Sequence, residues 1–259
     1  KGLKLDIVES NEDNTFSIEN FKEKLEQHKG KIKLVSFGMT ANLDGVSIPA
    51  KEIVKIAHKA GSKVFLDAAQ SAPHHELDVK SLGADFVAFS GHKMLGPTGI
   101  GVLYGPEKEL LELELYNVGG ETAIDSTYKE TTWEGLPHRF EAGLQHYAGI
   151  IGFGAAINYL NKIGMSKIAK HEISLNKQFT DGIIGPHDAS KRSGITSFTI
   201  EGLSAHDVAT MVSASKSIML RSGAHCVHSW FNKHKLSGST RSSLYLYNTA
   251  NEVEQIISE

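Results

Sequence analysis

The sequence predicts an α/β fold with a mostly parallel, doubly wound sheet and a smaller C-terminal α+β domain. In roughly the first hundred residues, apolar strands at 32–37, 63–67 and 86–89 alternate with helical segments. This alternation is typical of a parallel sheet with crossover helices. Beyond Gly164 the pattern of predicted elements changes to short strands and capped helices. We therefore expect a large domain over residues 1–145, incomplete at its N-terminus, and a linking helix with the small domain over 146–259.

Apolar spacing and capping residues predict the helices. An amphipathic helix is expected from Ser17 to His28, and a second follows Ser47, a candidate cap, and ends at Gly61. A long helix is expected from about 142 to 163, with a buried face made of Ala148, Ile151, Ala155 and Leu160. The remaining expected elements are a strand at 2–8, a short helix near 79–82, a strand at 101–104, a helix from 166 to about 181, a strand at 195–200, a helix capped by Ser204 with Asp207, strands at 218–221 and 241–247, and a last helix capped by Thr249 with Glu252.

Composition excludes several classes of function. The net charge is −3 and no dense basic run is present, so nucleic acid is not an expected partner. No apolar run approaches the roughly 18 residues of a membrane span, and no signal peptide opens the chain. The single cysteine, Cys226, rules out an intramolecular disulfide. We therefore expect a cytoplasmic protein, and the strand-like start at Lys1 suggests that further sequence precedes it.

Lys93 lies in a turn between two apolar strands, within Ser90-Gly-His-Lys-Met-Leu-Gly-Pro-Thr-Gly99. Considered alone, it is most simply a surface lysine. The buried strand before it, the glycine and proline turn after it, and the adjacent Ser90 and His92 favour a functional interpretation. A lysine amine can bond covalently to an aldehyde cofactor. Ser90 and His92 can then hydrogen-bond the phosphate of that cofactor.

Other polar side chains follow the ends of neighbouring strands. Asp67 ends the strand 63–67 and precedes Lys93 by 26 residues, while Asn42 follows the strand 32–37. Ligands of parallel sheets bind outside the carboxyl ends of the strands, so one pocket can collect these residues. Asp67 is either a turn aspartate or a buried carboxylate facing a cationic ring nitrogen. Gln70 is either a loop glutamine or a partner of the phenolic oxygen of the ring.

These motifs resemble the class V aminotransferase family of pyridoxal phosphate enzymes, and within it the group II cysteine desulfurases and selenocysteine lyases. The resemblance rests on Asp67-Ala-Ala-Gln70, the 26-residue step and the Lys93 segment, and it extends over nearly the whole chain from Leu3. It implies the fold of pyridoxal-phosphate-dependent transferases, pyridoxal 5'-phosphate on Lys93, and a homodimer. It also implies that Asn42, otherwise a turn asparagine, lies near the substrate or a cofactor oxygen.

The second half extends the resemblance. In Arg221-Ser-Gly-Ala-His-Cys226 an arginine precedes the cysteine by five residues, and Arg241 follows it by fifteen. A lone cysteine is usually a small buried hydrophobe, and an arginine on a strand usually forms a surface salt bridge. Here Gly223, His225 and Arg221 suggest an exposed, electropositive turn, which favours the nucleophilic thiolate. The resemblance implies that Cys226 is the nucleophile and that Arg241, near Arg221, binds the substrate carboxylate bidentately.

The implied activity converts L-cysteine to L-alanine and leaves the sulfur on Cys226 as a persulfide. Lys93 removes the α-proton, His92 assists proton movement, and a sulfur-acceptor protein receives the sulfur for iron–sulfur cluster assembly. Two departures from the family pattern are Leu144, where a threonine usually reaches the partner subunit's phosphate, and Ala224, where histidine is frequent. They keep selenocysteine lyase, cysteine sulfinate desulfinase or another class V lyase as alternatives. An inactive scaffold is a third, because the family's ring-stacking residue and a phosphate loop belong to a segment that precedes this sequence.

Overall fold

The computed structural model of the protein describes residues 2–258, in which two four-stranded sheets organise the fold. The elements of the first half are α1 (Ile18–Gln27), β1 (Leu34–Gly38), α2 (Ala50–Lys59), β2 (Lys63–Asp67), α3 (Val79–Leu82), β3 (Phe86–Ser90), β4 (Gly101–Tyr104), α4 (Glu107–Leu111), β5 (Ala123–Ser126) and β6 (Thr131–Trp133). Those of the second half are α5 (Tyr147–Ile163), α6 (Met165–Asn176), β7 (Ile183–Ile184), β8 (Ile195–Phe198), α7 (Ala205–Lys216), β9 (Arg221–Gly223), α8 (His228–His234), β10 (Ser239–Ser243) and α9 (Ala250–Ile257).

The first sheet has the order β1-β2-β3-β4. The first three strands are parallel and β4 is antiparallel to β3. Parallel neighbours need a crossover, which α2 and α3 provide, whereas a short turn joins β3 to β4. The predicted α/β fold with a mostly parallel sheet is confirmed. The strand order of this sheet does not reverse among the described residues.

The main core lies between this sheet and the helices α1 and α2. Helix residues and strand residues form this core together: Phe21, Leu25, Ile53, Val54 and Ala57 from the helices, and Val64, Leu66 and Val87 from β2 and β3. Phe16, Phe21 and Phe37 add edge-to-face ring contacts, with centroids 4.9–5.8 Å apart. No helix in the part of the chain that the structure describes is long and apolar enough to cross a membrane.

The second sheet is antiparallel, has the order β7-β8-β10-β9, and packs against α7. Each four-stranded sheet lies wholly on one side of the predicted boundary between residues 145 and 146, and the domain division itself stays a prediction. Two predicted caps are present, Ser204 on α7 and the Thr249–Glu252 capping box on α9, and Ser17 caps α1 as well.

Several predicted boundaries were wrong. Ser47 does not cap α2, because its hydroxyl lies 3.0 Å from that of Thr40, and α2 begins after Pro49 without a side-chain cap. Residues 2–8 form no strand, since they find no partner strand among the described residues. The long helix starts at Tyr147 rather than near 142. β9 and β10 are displaced from the predicted 218–221 and 241–247, because their pairing with each other sets their ends.

Truncating Ile53 to alanine tests the core. Ile53 is 0% exposed, so Ile53→Ala is expected to lower the free energy of unfolding by about 2–5 kcal/mol. The matched control is Ile257→Ala in α9, where the side chain is 50% exposed and a change within about 0.5 kcal/mol is expected. Urea unfolding measures both variants, and equal losses would contradict this assignment of the core.

Candidate functional site

The carboxyl edge of the first sheet collects the residues predicted for the cofactor. In register, Gly38 of β1 pairs with Asp67 of β2, and Asp67 pairs with Ala88 of β3. The segments that follow these strands therefore start at one edge. They contain Asn42, Asp67, Gln70, Ser90, His92 and Lys93.

The turn that contains Lys93 is held by its own backbone and by α5. Residues 91–93 form one turn of 3₁₀ helix, and the Gly91 carbonyl accepts hydrogen bonds from the amides of Met94, at 2.8 Å, and Gly96, at 3.0 Å. The ring of Phe153 packs so closely that a Cβ at Gly96 would lie 2.7 Å from it. A Cβ at Gly149 would lie 2.6 Å from Ile100. The Lys93 turn is thus a packed structure rather than a loose loop.

This packing corrects the predicted face of α5. Its buried residues are Gly149, Phe153, Ala156 and Leu160. Of the predicted face only Leu160 is buried, and Ile151 is 76% exposed. The helix is rotated because its glycines, which lack a side chain, face the turn and allow the close approach.

The amine of Lys93 lies on this turn without a counter-ion. Lys93 is half-buried, and its side chain makes no hydrogen bond or ion pair within residues 2–258; the same holds for Gln70, Ser90 and His92. Of the two alternatives for Asp67, the turn aspartate is the one present, because its side chain is exposed at the open edge of the sheet and not buried. One of its oxygens accepts from the amide of Ala69 at 2.8 Å, and the other has no partner among the described residues.

The second group of predicted residues lies on β9, β10 and the loop after β9. Arg221 and Arg241 are direct cross-strand partners. The Nη2 atom of Arg221 is 4.0 Å from the Sγ atom of Cys226, and Cys226 is exposed. Two guanidinium groups therefore stand near a thiol that solvent can reach.

Arg241 is half-buried and only partly satisfied. Its Nη1 atom donates to the carbonyl oxygen of Asn42 at 2.8 Å, while its Nε atom is buried without a hydrogen-bond partner in the described structure. Burial, and then the charge of Arg221, lower the pKa of Arg241. The unused Nε side of the guanidinium has the planar donor geometry that binds a carboxylate.

Asn42 connects the two groups. It follows β1 at the edge of the first sheet, and its amide nitrogen donates to the carbonyl oxygen of His225 at 2.8 Å. Its own carbonyl oxygen is the acceptor for Arg241. No hydrogen bond or ion pair joins Lys93 or Asp67 directly to Cys226 in the region that the structure covers. Whether Asn42 also contacts substrate or cofactor stays a prediction.

His225 does not make the turn electropositive, contrary to the sequence interpretation. It is 2% exposed, and its Nε2 atom lies 3.0 Å from the carbonyl oxygen of Ser239. Burial, and then the charge of Arg241, lower the pKa of His225 to about 4, so the ring is neutral near pH 7. The positive charge near the thiol comes from the arginines alone.

Asp44, two residues after Asn42, was missed by sequence reasoning. It is buried, and its oxygens accept from the Val46 amide at 3.1 Å and the Asn14 side chain at 3.0 Å. Burial raises the pKa of Asp44 to about 6. The loop that it anchors also accepts hydrogen bonds from the small domain, from Ser193 to Gly45 at 2.8 Å and from Ser197 to Leu43. The sequence offered no signal, since loop aspartates are usually exposed.

Comparisons with known proteins identify the family of the chain. The family model "Aminotransferase class-V" matches residues 1–256. The chain therefore belongs to the class-V aminotransferase family, as its motifs predicted. It is 39% identical to a probable cysteine desulfurase of Halalkalibacterium halodurans, over 98% of this chain and 63% of that protein. It is 38% identical to a cysteine desulfurase of Haloferax volcanii, over 99% of this chain and 61% of that protein.

Solved structures give the same result. The apo cysteine desulfurase of Thermococcus onnurineus superposes with a TM-score of 0.93 at 38% identity, covering 99% of this chain and 65% of that chain. A cysteine desulfurase of Escherichia coli superposes with a TM-score of 0.84 at 29% identity, covering 92% and 60%. These structures confirm the predicted fold of pyridoxal-phosphate-dependent transferases. The chain spans less than two thirds of the length of each of these four relatives.

Replacing Asp44 with asparagine tests its buried carboxyl group. Because the pKa in the folded state, about 6, is above the ordinary value of 3.8, the folded protein binds this proton more tightly than the unfolded chain. The stabilisation of the folded state that the protonated Asp44 carboxyl group provides is fully present below about pH 4 and is lost as the pH rises through 6. Between pH 4 and 7 the loss amounts to roughly 3 kcal/mol. The free energy of unfolding of Asp44→Asn, relative to wild type, is therefore expected to rise across this range.

Urea unfolding at a series of pH values measures that difference. Asp125→Asn, which alters an exposed aspartate of β5, is the control and should give a difference from wild type without this rise. A constant difference between Asp44→Asn and wild type from pH 4 to 7 would contradict the assignment.

Proposed function

We propose that the complete protein is a pyridoxal-phosphate-dependent cysteine desulfurase, which converts L-cysteine to L-alanine and takes the sulfur on Cys226. The observation that supports this most directly is the exposed Cys226 thiol 4.0 Å from Arg221, with Arg241 as the cross-strand partner of that arginine. A nucleophile and a carboxylate-binding group thus lie on adjacent segments. The cysteine desulfurase names of the relatives support the same reaction.

The side chains at the carboxyl edge fit pyridoxal phosphate by their chemistry. Lys93 offers an amine with no carboxylate partner among residues 2–258, and Asp67 offers an oxygen without a donor. Ser90 and His92 offer a hydroxyl and an imidazole for a phosphate, and Gln70 offers an amide for the ring hydroxyl. Lys93 would hold the cofactor covalently, and Asp67 would keep its ring nitrogen protonated. When bound, pyridoxal phosphate supplies an electron sink for the bond-breaking at the substrate α-carbon.

The protein's own residues account for the remaining steps. Arg241 binds the substrate carboxylate through its free guanidinium side, with Arg221 adding positive charge. Lys93 Nζ takes the α-proton, and His92 assists proton movement. The Cys226 thiolate attacks the substrate sulfur, so an S–S bond forms while the C–S bond breaks. The electron pair of that bond stays with the carbon fragment, which takes up one proton at the β-carbon and recovers the α-proton from Lys93 Nζ before it leaves as alanine.

Two alternative substrates are suggested by the positions at which the site departs from the family pattern. Leu144 is 84% exposed, and Ala224 stands next to His225 in the cysteine loop. Both positions differ from the residues expected of a cysteine desulfurase and keep selenocysteine and cysteine sulfinate as candidate substrates. Comparing rates on these two compounds with the rate on cysteine decides between them. An inactive scaffold would release alanine from none of the three.

The proposal includes three further expectations. A homodimer is supported by large apolar side chains exposed on and before α5, namely Leu144, Tyr147, Ile150 and Ile151. Transfer to an acceptor protein, for iron–sulfur cluster assembly, is supported by the exposure of Cys226. A cytoplasmic location is supported by the need to keep that thiol reduced. Sedimentation of the complete protein tests the dimer.

Substituting Cys226 separates the two halves of the reaction. Cys226→Ser is expected to lower alanine formation from cysteine by about 100-fold or more, since the nucleophile is lost. It should keep the yellow colour of bound cofactor, because Lys93 is untouched. Lys93→Ala is expected to lose both activity and the covalently held cofactor.

Alanine is measured by amino-acid analysis and the cofactor by its visible absorbance. Lys80→Ala, which removes an exposed lysine of α3, is the control and should match wild type. Unchanged turnover in Cys226→Ser would exclude the thiol as the nucleophile.

A further inference from the structure

A closed ring of hydrogen bonds surrounds the cysteine loop. Arg241 donates to the carbonyl oxygen of Asn42, and the Asn42 side chain donates to the carbonyl oxygen of His225, both at 2.8 Å. The Nε2 atom of His225 lies 3.0 Å from both the carbonyl oxygen and the hydroxyl of Ser239. Ser239 is two residues before Arg241 on β10. His225 thus bonds the loop to Asn42 on one side and to Ser239 on the other, and Cys226 follows it directly in the chain.

The partners of His225 define its tautomer. A backbone carbonyl only accepts hydrogen bonds, so Nε2 must hold the proton and donate it to Ser239. The Nδ1 atom then has a lone pair, and it is buried without a partner in the described structure. Because the ring is also 2% exposed, its orientation is set by this one donor bond and by packing on Phe231, whose ring centroid is 6.2 Å away.

The backbone at this point requires such support. His225 has φ 47° and Cys226 has φ 64°, so two consecutive residues with side chains adopt the left-handed conformation. Each such residue is strained and persists only where its surroundings hold it. At His225 the carbonyl is held by Asn42 and the side chain by Ser239.

We propose that His225 is a positioning residue, which fixes the Cys226 thiol relative to Arg241 through its hydrogen bonds to Ser239 and Asn42. This inference rests on the proposed function for its catalytic consequence, since Arg241 holds the substrate carboxylate and the carboxylate sets where the substrate sulfur lies. The ring of hydrogen bonds holds the nucleophile and the carboxylate-binding group in a fixed position relative to each other. His225 itself touches no reacting atom.

Two amide substitutions distinguish positioning from mere filling of space. The side-chain amide of His225→Gln extends as far as Nε2 and can donate to Ser239. The amide of His225→Asn ends at the level of Nδ1 and cannot reach it. With the complete, cofactor-loaded protein, we expect His225→Asn to lower kcat for alanine formation by about 10–100-fold, with KM for cysteine within about twofold. His225→Gln should recover most of kcat.

Exchange of the substrate α-hydrogen in D₂O, followed by NMR, provides the readout that a general structural defect would move. It requires Lys93 and bound substrate but not the thiol, so we expect it to be unchanged in His225→Asn. The control is His187→Ala, which removes another histidine hydrogen bond to a backbone carbonyl, that of Thr180 at 3.0 Å, and should match wild type. Equal kcat in the Asn and Gln variants, or α-hydrogen exchange that falls together with turnover, would overturn the proposal.

A measurement without turnover separates this proposal from the proposed function. Amide hydrogen exchange of the peptide 222–230, measured by mass spectrometry, is expected to be about tenfold faster in His225→Asn and at the wild-type rate in His225→Gln. The sheet formed by residues 34–104 should exchange as in wild type in both variants. If wild type makes no alanine from cysteine, the proposed function fails, and this comparison alone still decides the role of His225. Unchanged exchange in His225→Asn would overturn it.

Discussion

Asn42 makes the two hydrogen bonds on which the rest of the site depends. Its side-chain amide binds the loop that contains the thiol, and its main-chain carbonyl binds the arginine proposed for the substrate carboxylate, each at 2.8 Å. Asn42 itself lies at the carboxyl edge of the first sheet, where the Lys93 turn also begins. Asn42 therefore relates the carboxyl edge of the parallel sheet to the cysteine loop, next to the hydrogen bonds that Leu43 and Gly45 accept from Ser197 and Ser193.

The two parts of the site that Asn42 connects, one on each sheet, are rigid for different reasons. On the side of the first sheet the rigidity comes from close packing, because the glycines of α5 allow that helix to lie directly against the Lys93 turn. On the side of the second sheet it comes from hydrogen bonds to buried polar groups, such as His225 and Arg241, whose loss leaves unpaired atoms in a poorly solvated place. A substitution that adds volume therefore disturbs the Lys93 turn, whereas a substitution that removes a hydrogen-bond donor disturbs the loop that contains Cys226.

The sequence predicted what depends on neighbours along the chain. The strands Lys63–Asp67 and Gly101–Tyr104 and the caps Ser204 and Thr249 were correct, since propensity and local hydrogen bonds determine them. The motif around Lys93 identified the family. The rotation of α5 and the burial of His225 were not predictable in this way, because each depends on contacts between residues far apart in the chain, which periodicity does not encode.

Separation along the chain has a consequence for how the site assembles. The bonds of Asn42 to His225 and Arg241 join residues 183 and 199 positions apart. Closing loops of that length costs entropy that only a large set of distant contacts can offset, and topologies dominated by such contacts fold slowly. The Lys93 turn, by contrast, is built mainly from residues close in sequence. We therefore expect the thiol and its arginines to become ordered only once the second sheet has bonded to the loop after β1.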